Sequence, residues 1–219
     1  MNAFASAEPV TRAASPLRHA AIAATLAVFL ASWIHPVWPL EQALHSSLTV
    51  IALVLLVVYA RRPATRDADV LLLCAFLALH CVGSRWLYSN VPYDAWIERL
   101  FGVSPQAAFG WQRNHFDRLV HLAYGVCFAP AIAHALGGRY RMRARHAFAL
   151  MLLLVMASSL VYEWLEWAIA LTLAPEQAEA YNGQQGDPWD AHADMLLATL
   201  GAAAWAPRLM REPATDTAR

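Results

Sequence analysis

Hydrophobic residues fall along this chain in long unbroken runs, not in the short alternation of elements that keep one face wet. Six runs approach the roughly 20 apolar residues that a membrane-crossing helix needs. They are residues 17–34, 44–60, 70–87, 117–136, 147–173 and 189–210. The second run has no formal charge and the fifth holds two glutamates. The sixth reaches span length only if its aspartate-bearing first turns are counted. His35-Pro36 closes the first run, Arg61-Arg62-Pro63 the second and Gly137-Gly138 the fourth, as proline and glycine do at helix ends. The longest connection, residues 88–116, contains a stretch at 93–101 that predicts a short helix lying in the membrane interface. Trp33, Trp38, Trp86, Trp189 and Trp205 sit near predicted span ends, where aromatic belts form.

Composition agrees with this pattern and removes alternatives. The 219 residues are 59% hydrophobic and 15% charged, against about 45–50% and about 25% in soluble domains. Disorder is excluded, since it needs low hydrophobicity and high net charge. With 16 basic and 16 acidic residues the net charge is zero, so no nucleic-acid partner is expected. Cys74, Cys81 and Cys127 all lie inside apolar runs, which argues against a disulfide scaffold. The expected fold is all-α: one polytopic integral membrane helical bundle of about six transmembrane helices over residues 17–210. Short tails flank it at 1–16 and 211–219.

Arginines set the direction. With the N-terminus inside, twelve arginines face the cytoplasm and four (Arg85, Arg99, Arg113, Arg118) face out. The positive-inside rule favours this arrangement, so both termini are expected to be cytoplasmic. The first run is read as a span, not a signal peptide, because no clean small-x-small cleavage site follows it.

Ionisable side chains inside spans cost about 2.5–3.5 kcal/mol each near a helix centre, so each needs a reason. Asp117 and His121 open the fourth span, Glu163 and Glu166 lie in the outer half of the fifth, and Asp187, Asp190 and Asp194 open the sixth. Arg85 closes the third span on the same side. Four helices thus bring polar groups to one leaflet. Spacing agrees with depth: Asp117/His121 are i,i+4, Glu163/Glu166 are i,i+3, and the three aspartates form one helical stripe. Such a set suits a divalent metal with oxygen-rich ligation, with Asp117, His121, Glu166 and Asp194 as ligands. Glu163 or Asp190 would serve as general base, while Arg85 and Gln185 would bind substrate.

Each residue also has a structural reading. Asp187-Pro188-Trp189-Asp190 looks like a helix start with Asp187 as its cap. Asp194 could pair with Arg85 or Arg118, and the glutamates could be neutral and hydrogen-bonded across helices. A lone membrane histidine is more often a packing residue than a ligand. Gly183-Gln184-Gln185-Gly186 allows a tight turn at the mouth of the cavity.

The stretch Tyr162-Glu163-Trp164-Leu165-Glu166-Trp167, with Gly183-Gln184-Gln185-Gly186-Asp187-Pro188-Trp189-Asp190 and then Asp194-Met195, resembles the YjdF-like family of bacterial inner-membrane proteins. Asp117, His121 and Gly125 resemble that family's Asp-x-x-x-His element. Asn182 and Gln184 replace an expected leucine and threonine, and His192 a glutamine; no carboxylate is affected. The resemblance implies an inner-membrane location but supplies no activity. Three functions are consistent with the residues. One is a metal-dependent hydrolase acting on an amphiphilic or lipid-linked substrate. The second is a non-catalytic membrane protein whose polar cluster is structural or binds a partner. The third is a proton- or ion-coupled transporter.

Overall fold

The computed structural model describes residues 15–173 and 175–211. Most of both expected tails, with Arg12 and Arg219 of the orientation argument, lies outside the described residues. Ten helices and no strand occur among the described residues. In chain order they are α1 (Pro16–Ser32), α2 (Pro39–Ala60), α3 (Asp67–Arg85), α4 (Tyr93–Phe101), α5 (Pro105–Phe109), α6 (Phe116–Arg139), α7 (Ala144–Ala170), α8 (Pro175–Asn182), α9 (Asp190–Ala203) and α10 (Ala206–Leu209). The chain forms a polytopic membrane helical bundle.

Among the described residues, four helices (α2, α3, α6 and α7) are long and apolar enough to cross a bilayer. The apolar helix α1 is shorter, at 17 residues. The sixth expected span is divided. It begins at Asp190, breaks after Ala203, and resumes as the four-residue α10, with Pro207 in its first turn. Ser15 caps α1 by accepting from the Arg18 N–H, and Pro16 follows at the first helical position. The first turn of hand after α1 falls at His35, with φ 50°. The Gly137-Gly138 pair does not end α6, which runs on to Arg139. Glycine ends a helix by taking positive φ; neither residue does so, and Arg141 takes that conformation instead.

Two central helices organise the bundle. α3 carries α1 and α2 on its flanks and packs on α6, while α6 carries α7 and α9. The α6–α7–α9 core consists of Ala129, Ala133 and Leu136, Ala147, Met151 and Val155, and Ala198 and Ala202. Without a solvent-driven hydrophobic force between spans, small residues that let backbones approach hold helices together. Gly125 shows this: a Cβ there would lie 1.9 Å from the Ala198 carbonyl oxygen. Pro130 lies inside α6 and cannot donate to the Val126 carbonyl one turn back; Trp205 Nε1 donates to that oxygen instead, at 2.8 Å.

The opposite ends of the bundle differ. At the arginine-rich end Arg18 donates to the Ala60 carbonyl at 3.0 Å and pairs with Asp67 at 2.5 Å, closing α2 against α1 and α3. His134, isolated by sequence spacing, meets the buried Asp69 through Nδ1 at 2.9 Å and so joins α6 to α3. Tyr59 donates to the same carboxylate, at Oδ2, at 3.2 Å. The end placed outside by the arginine distribution carries α4, with the bounds the sequence predicts, followed by α5. Asp94 ties the two by accepting from Ser104 Oγ at 2.7 Å and Gln106 N–H at 2.8 Å. Leu100, Phe101 and Phe109 of this pair face outward, as do Trp164, Trp167 and Trp189 beside α7 and α9.

Candidate functional site

The α6–α9 crossing sets the register of the polar residues. One and two turns outward from Gly125 on α6 lie His121 and Asp117; on α9 the same stripe that carries Ala198 reaches Asp194 and Asp190. On α7 the buried positions Ala147, Met151, Val155 and Ser159 recur every four residues, and the next position is Glu163. Three helices therefore converge on one point near the outer end.

The inner part of this cluster holds His121, Glu163 and Asp194. His121 Nε2 lies 3.9 Å from Glu163 Oε1 and 3.9 Å from Asp194 Oδ2. Neither distance is a hydrogen bond. One ligand atom from each of the three residues falls within 4.8 Å of the others. Among the described residues, Glu163 Oε1 and Asp194 Oδ1 are buried without a hydrogen-bond partner. A buried oxygen left without a partner is costly to keep. Tyr162 packs edge-on against the His121 ring, with centroids 5.8 Å apart.

The outer part is an ion-pair network. Arg113, from the turn after α5, pairs with Asp117 through Nη2 and with Asp190 through Nη1 at 2.5 Å. Arg118 pairs with Asp187 at 2.5 Å. Asp117, Asp190 and Asp194 also form a triad with ligand spacing, but Arg113 already occupies two of its carboxylates. Around Arg113 burial opposes the charge, and the hydrogen bond to Asp190 with the field of Asp117 outweighs it, so its pKa is raised. The Asp187 carboxyl is held below its ordinary range, first by the Trp189 backbone N–H and then by Arg118. His115 is pushed down by burial and by the two neighbouring guanidiniums.

A cavity of about 220 Å³ opens beside the cluster. Asp117, His121, Glu166, Asp190 and Asp194 line one wall. The opposite wall carries His80, Tyr88 and Thr49: Tyr88 OH lies 2.6 Å from His80 Nδ1, and His80 Nε2 lies 2.8 Å from Thr49 Oγ1. His45 stacks on Tyr181 behind them, with ring centroids 4.4 Å apart.

The residues expected at the site fall in different surroundings. Glu166, expected as a ligand, lines the cavity, whereas Glu163, expected as a base, stands among His121 and Asp194. The reason is rotational: the buried four-residue stripe of α7 points Glu163 at α6 and α9. Asp117 is held by Arg113 and does not stand in the His121 triad. Asp190, the other expected base, is also held by Arg113. Arg85, expected to bind substrate, donates to the Ser32 and Ile34 carbonyls at 2.7 and 2.8 Å and so finishes the end of α1. Gln185 accepts from the Asn114 N–H at 2.8 Å and donates to its carbonyl at 3.0 Å, stitching two loops together. Asp187 is not the cap of α9. The helix starts at Asp190 after Trp189, and Asp187 Oδ1 accepts from the Trp189 N–H at 2.9 Å, closing the preceding turn. Arg113 was missed as a site residue, although its i,i+4 relation to Asp117 was visible in the chain.

Residues 17–211 match a family described as predicted membrane protein (DUF2238). That span includes every residue of the polar cluster. The chain belongs to this family. It is 33% identical over 159 residues to inner membrane protein YjdF of Escherichia coli (strain K12), covering 70% of this chain and 69% of that protein. No solved structure matches. The DUF2238 bundle is thus a multi-pass membrane protein whose relative resides in the inner membrane, the location expected for this chain.

Proposed function

We propose that His121, Glu163 and Asp194 hold a divalent cation, and that the protein is a metal-dependent hydrolase acting on an amphiphilic substrate at the outer leaflet. The observation that carries this reading is the pair of buried, unpartnered oxygens, Glu163 Oε1 and Asp194 Oδ1, beside the His121 imidazole. An ion bonded at about 2 Å to each residue would satisfy both oxygens, and mixed imidazole–carboxylate ligation suits zinc, manganese or iron. Of the three residues that would hold the ion, His121 and Asp194 line the cavity. A divalent cation bound there would supply Lewis-acid chemistry and activate water. Glu166 lines the same cavity and would act as the general base that accepts the water proton and returns it to the leaving group.

A second reading draws on the outer network. Arg113 and Arg118 between them pair with Asp117, Asp187 and Asp190, so this half of the cluster acts as structural glue between α6, the α5–α6 turn and the start of α9. The two readings assign different residues and are compatible.

Metal content of detergent-purified protein tests the proposal, beside His121→Ala and Asp194→Asn. Near-stoichiometric metal in the wild type, absent from folded variants, with metal-dependent cleavage of long-chain p-nitrophenyl esters or phosphate esters, supports it. No metal after incubation with zinc, manganese and iron overturns it.

A further inference from the structure

A second hollow of about 280 Å³ lies beside the cavity, and Ala52 and Leu77 line both. Its floor is α3, through Leu73 and Leu77. Its walls are one face of α2, with Leu55, Leu56 and Tyr59, and one face of α6, with Phe128, Ile132 and Ala135. Apart from Tyr59 every lining residue is apolar. Leu55 is 61% exposed, so the hollow is open along one side to the hydrocarbon that surrounds α2. The two hollows, at about 220 and about 280 Å³, together fall in the ~300–1,000 Å³ range of ligand sites.

We infer that this groove between α2 and α6 holds the single hydrocarbon chain of an amphiphile whose oxygen-bearing head lies at the His121–Glu163–Asp194 cluster. The inference deepens the hydrolase reading and rests on it for the head group. The shared border selects the occupant. A chain lying in the groove runs beside Ala52 and Leu77, which also border the polar cavity, whereas a lipid on the outer face of the bundle has no such neighbour. Length agrees. From His121 to Ala135 α6 rises roughly 20 Å, at about 1.5 Å per residue, so the chain lies across about two-thirds of a ~30 Å hydrocarbon layer. The groove narrows the substrate class to long single-chain amphiphiles, since a hollow of about 280 Å³ is too small for the paired chains of a phospholipid.

Photolabelling of the full-length protein with diazirine-bearing palmitic acid tests this, with unlabelled palmitic acid as competitor. Saturable adducts on α2 and α6 groove positions are expected, and they should be lost in Ala135→Trp and in Leu55→Trp. Val58→Trp, on an exposed face of α2 outside the groove, should keep them. Labelling that no competitor reduces, or that is equal in all four proteins, overturns the inference. Metal content is measured in the same samples. Saturable groove labelling without metal sinks the hydrolase reading and keeps the groove; metal without saturable labelling sinks the groove alone.

Discussion

Gly125 of α6 and Gly201 of α9 face each other where the two helices cross, so closely that a Cβ on Gly201 would lie 2.3 Å from the Leu122 carbonyl oxygen and 3.3 Å from the Gly125 Cα. The crossing does more than pack: it holds His121 and Asp194 at matching heights. Gly201→Ala should push the helices apart at a cost of about 1–3 kcal/mol, seen as a lower midpoint of thermal unfolding in detergent. Gly137→Ala, in the same α6 but with nothing within 4 Å of its Cβ, should gain about 0.5–1 kcal/mol. Equal shifts in the two variants would show that the crossing is not close-packed.

The two glutamates of α7 should separate in their effect on metal. Glu163→Gln removes a ligand charge and should strip most of the metal from a folded protein. Glu166→Gln should retain the metal and lose turnover. Elemental analysis of both variants decides; retention by Glu163→Gln with loss by Glu166→Gln would reverse the assignment.

Arg113 should be a major stability residue. Its side chain is 11% exposed, and Asp190, its partner, is 7% exposed. Removing one member of a buried pair typically costs about 3–5 kcal/mol, because a charge is left behind without a partner. Arg113→Ala should therefore lower the unfolding midpoint strongly, and Arg113→Ala/Asp190→Asn should recover part of the loss. Arg113→Lys should recover less, since one ammonium cannot reproduce a fork that reaches Asp117 and Asp190 from separate nitrogens. An additive double variant would show that the pair is not coupled.

Acid should weaken the turn before α9. The folded Asp187 carboxyl is held below its ordinary value of 3.8, so its ionised form contributes stability above that value. The contribution is lost as pH falls through the lowered folded value. The difference in unfolding midpoint between wild type and Asp187→Asn should accordingly be constant near neutrality and shrink toward zero below pH 3.8. A difference that stays constant through that window would locate the effect elsewhere.

Long apolar runs made most of the bundle legible, and the amphipathic stretch at residues 93–101 became α4 without adjustment. Convergence of acids on one leaflet was legible too, because depth follows from counting along helices. Rotation about each helix axis was harder to read. Glu163 and Glu166 share a broad face at i,i+3, and only the buried Met151–Val155–Ser159 stripe shows which of them points at His121 and Asp194. Contacts made by loops left no periodic signal, so Arg113 and the reciprocal Gln185–Asn114 bonds emerged only from tertiary structure.

The brevity of α9 reshapes its surroundings. Asp190–Ala203 rises only about 21 Å, well short of a ~30 Å hydrocarbon layer. Bilayers meet a short wall by thinning toward it. Trp164, Trp167 and Trp189 stand 59%, 62% and 66% exposed along this flank, and tryptophan settles at the water–lipid boundary. Trp164 is next to Glu163 in the chain, so a tryptophan stands at the level of the cluster. A bilayer that thins toward α9 would bring its polar surface nearer to these carboxylates and shorten the path of a head group to them.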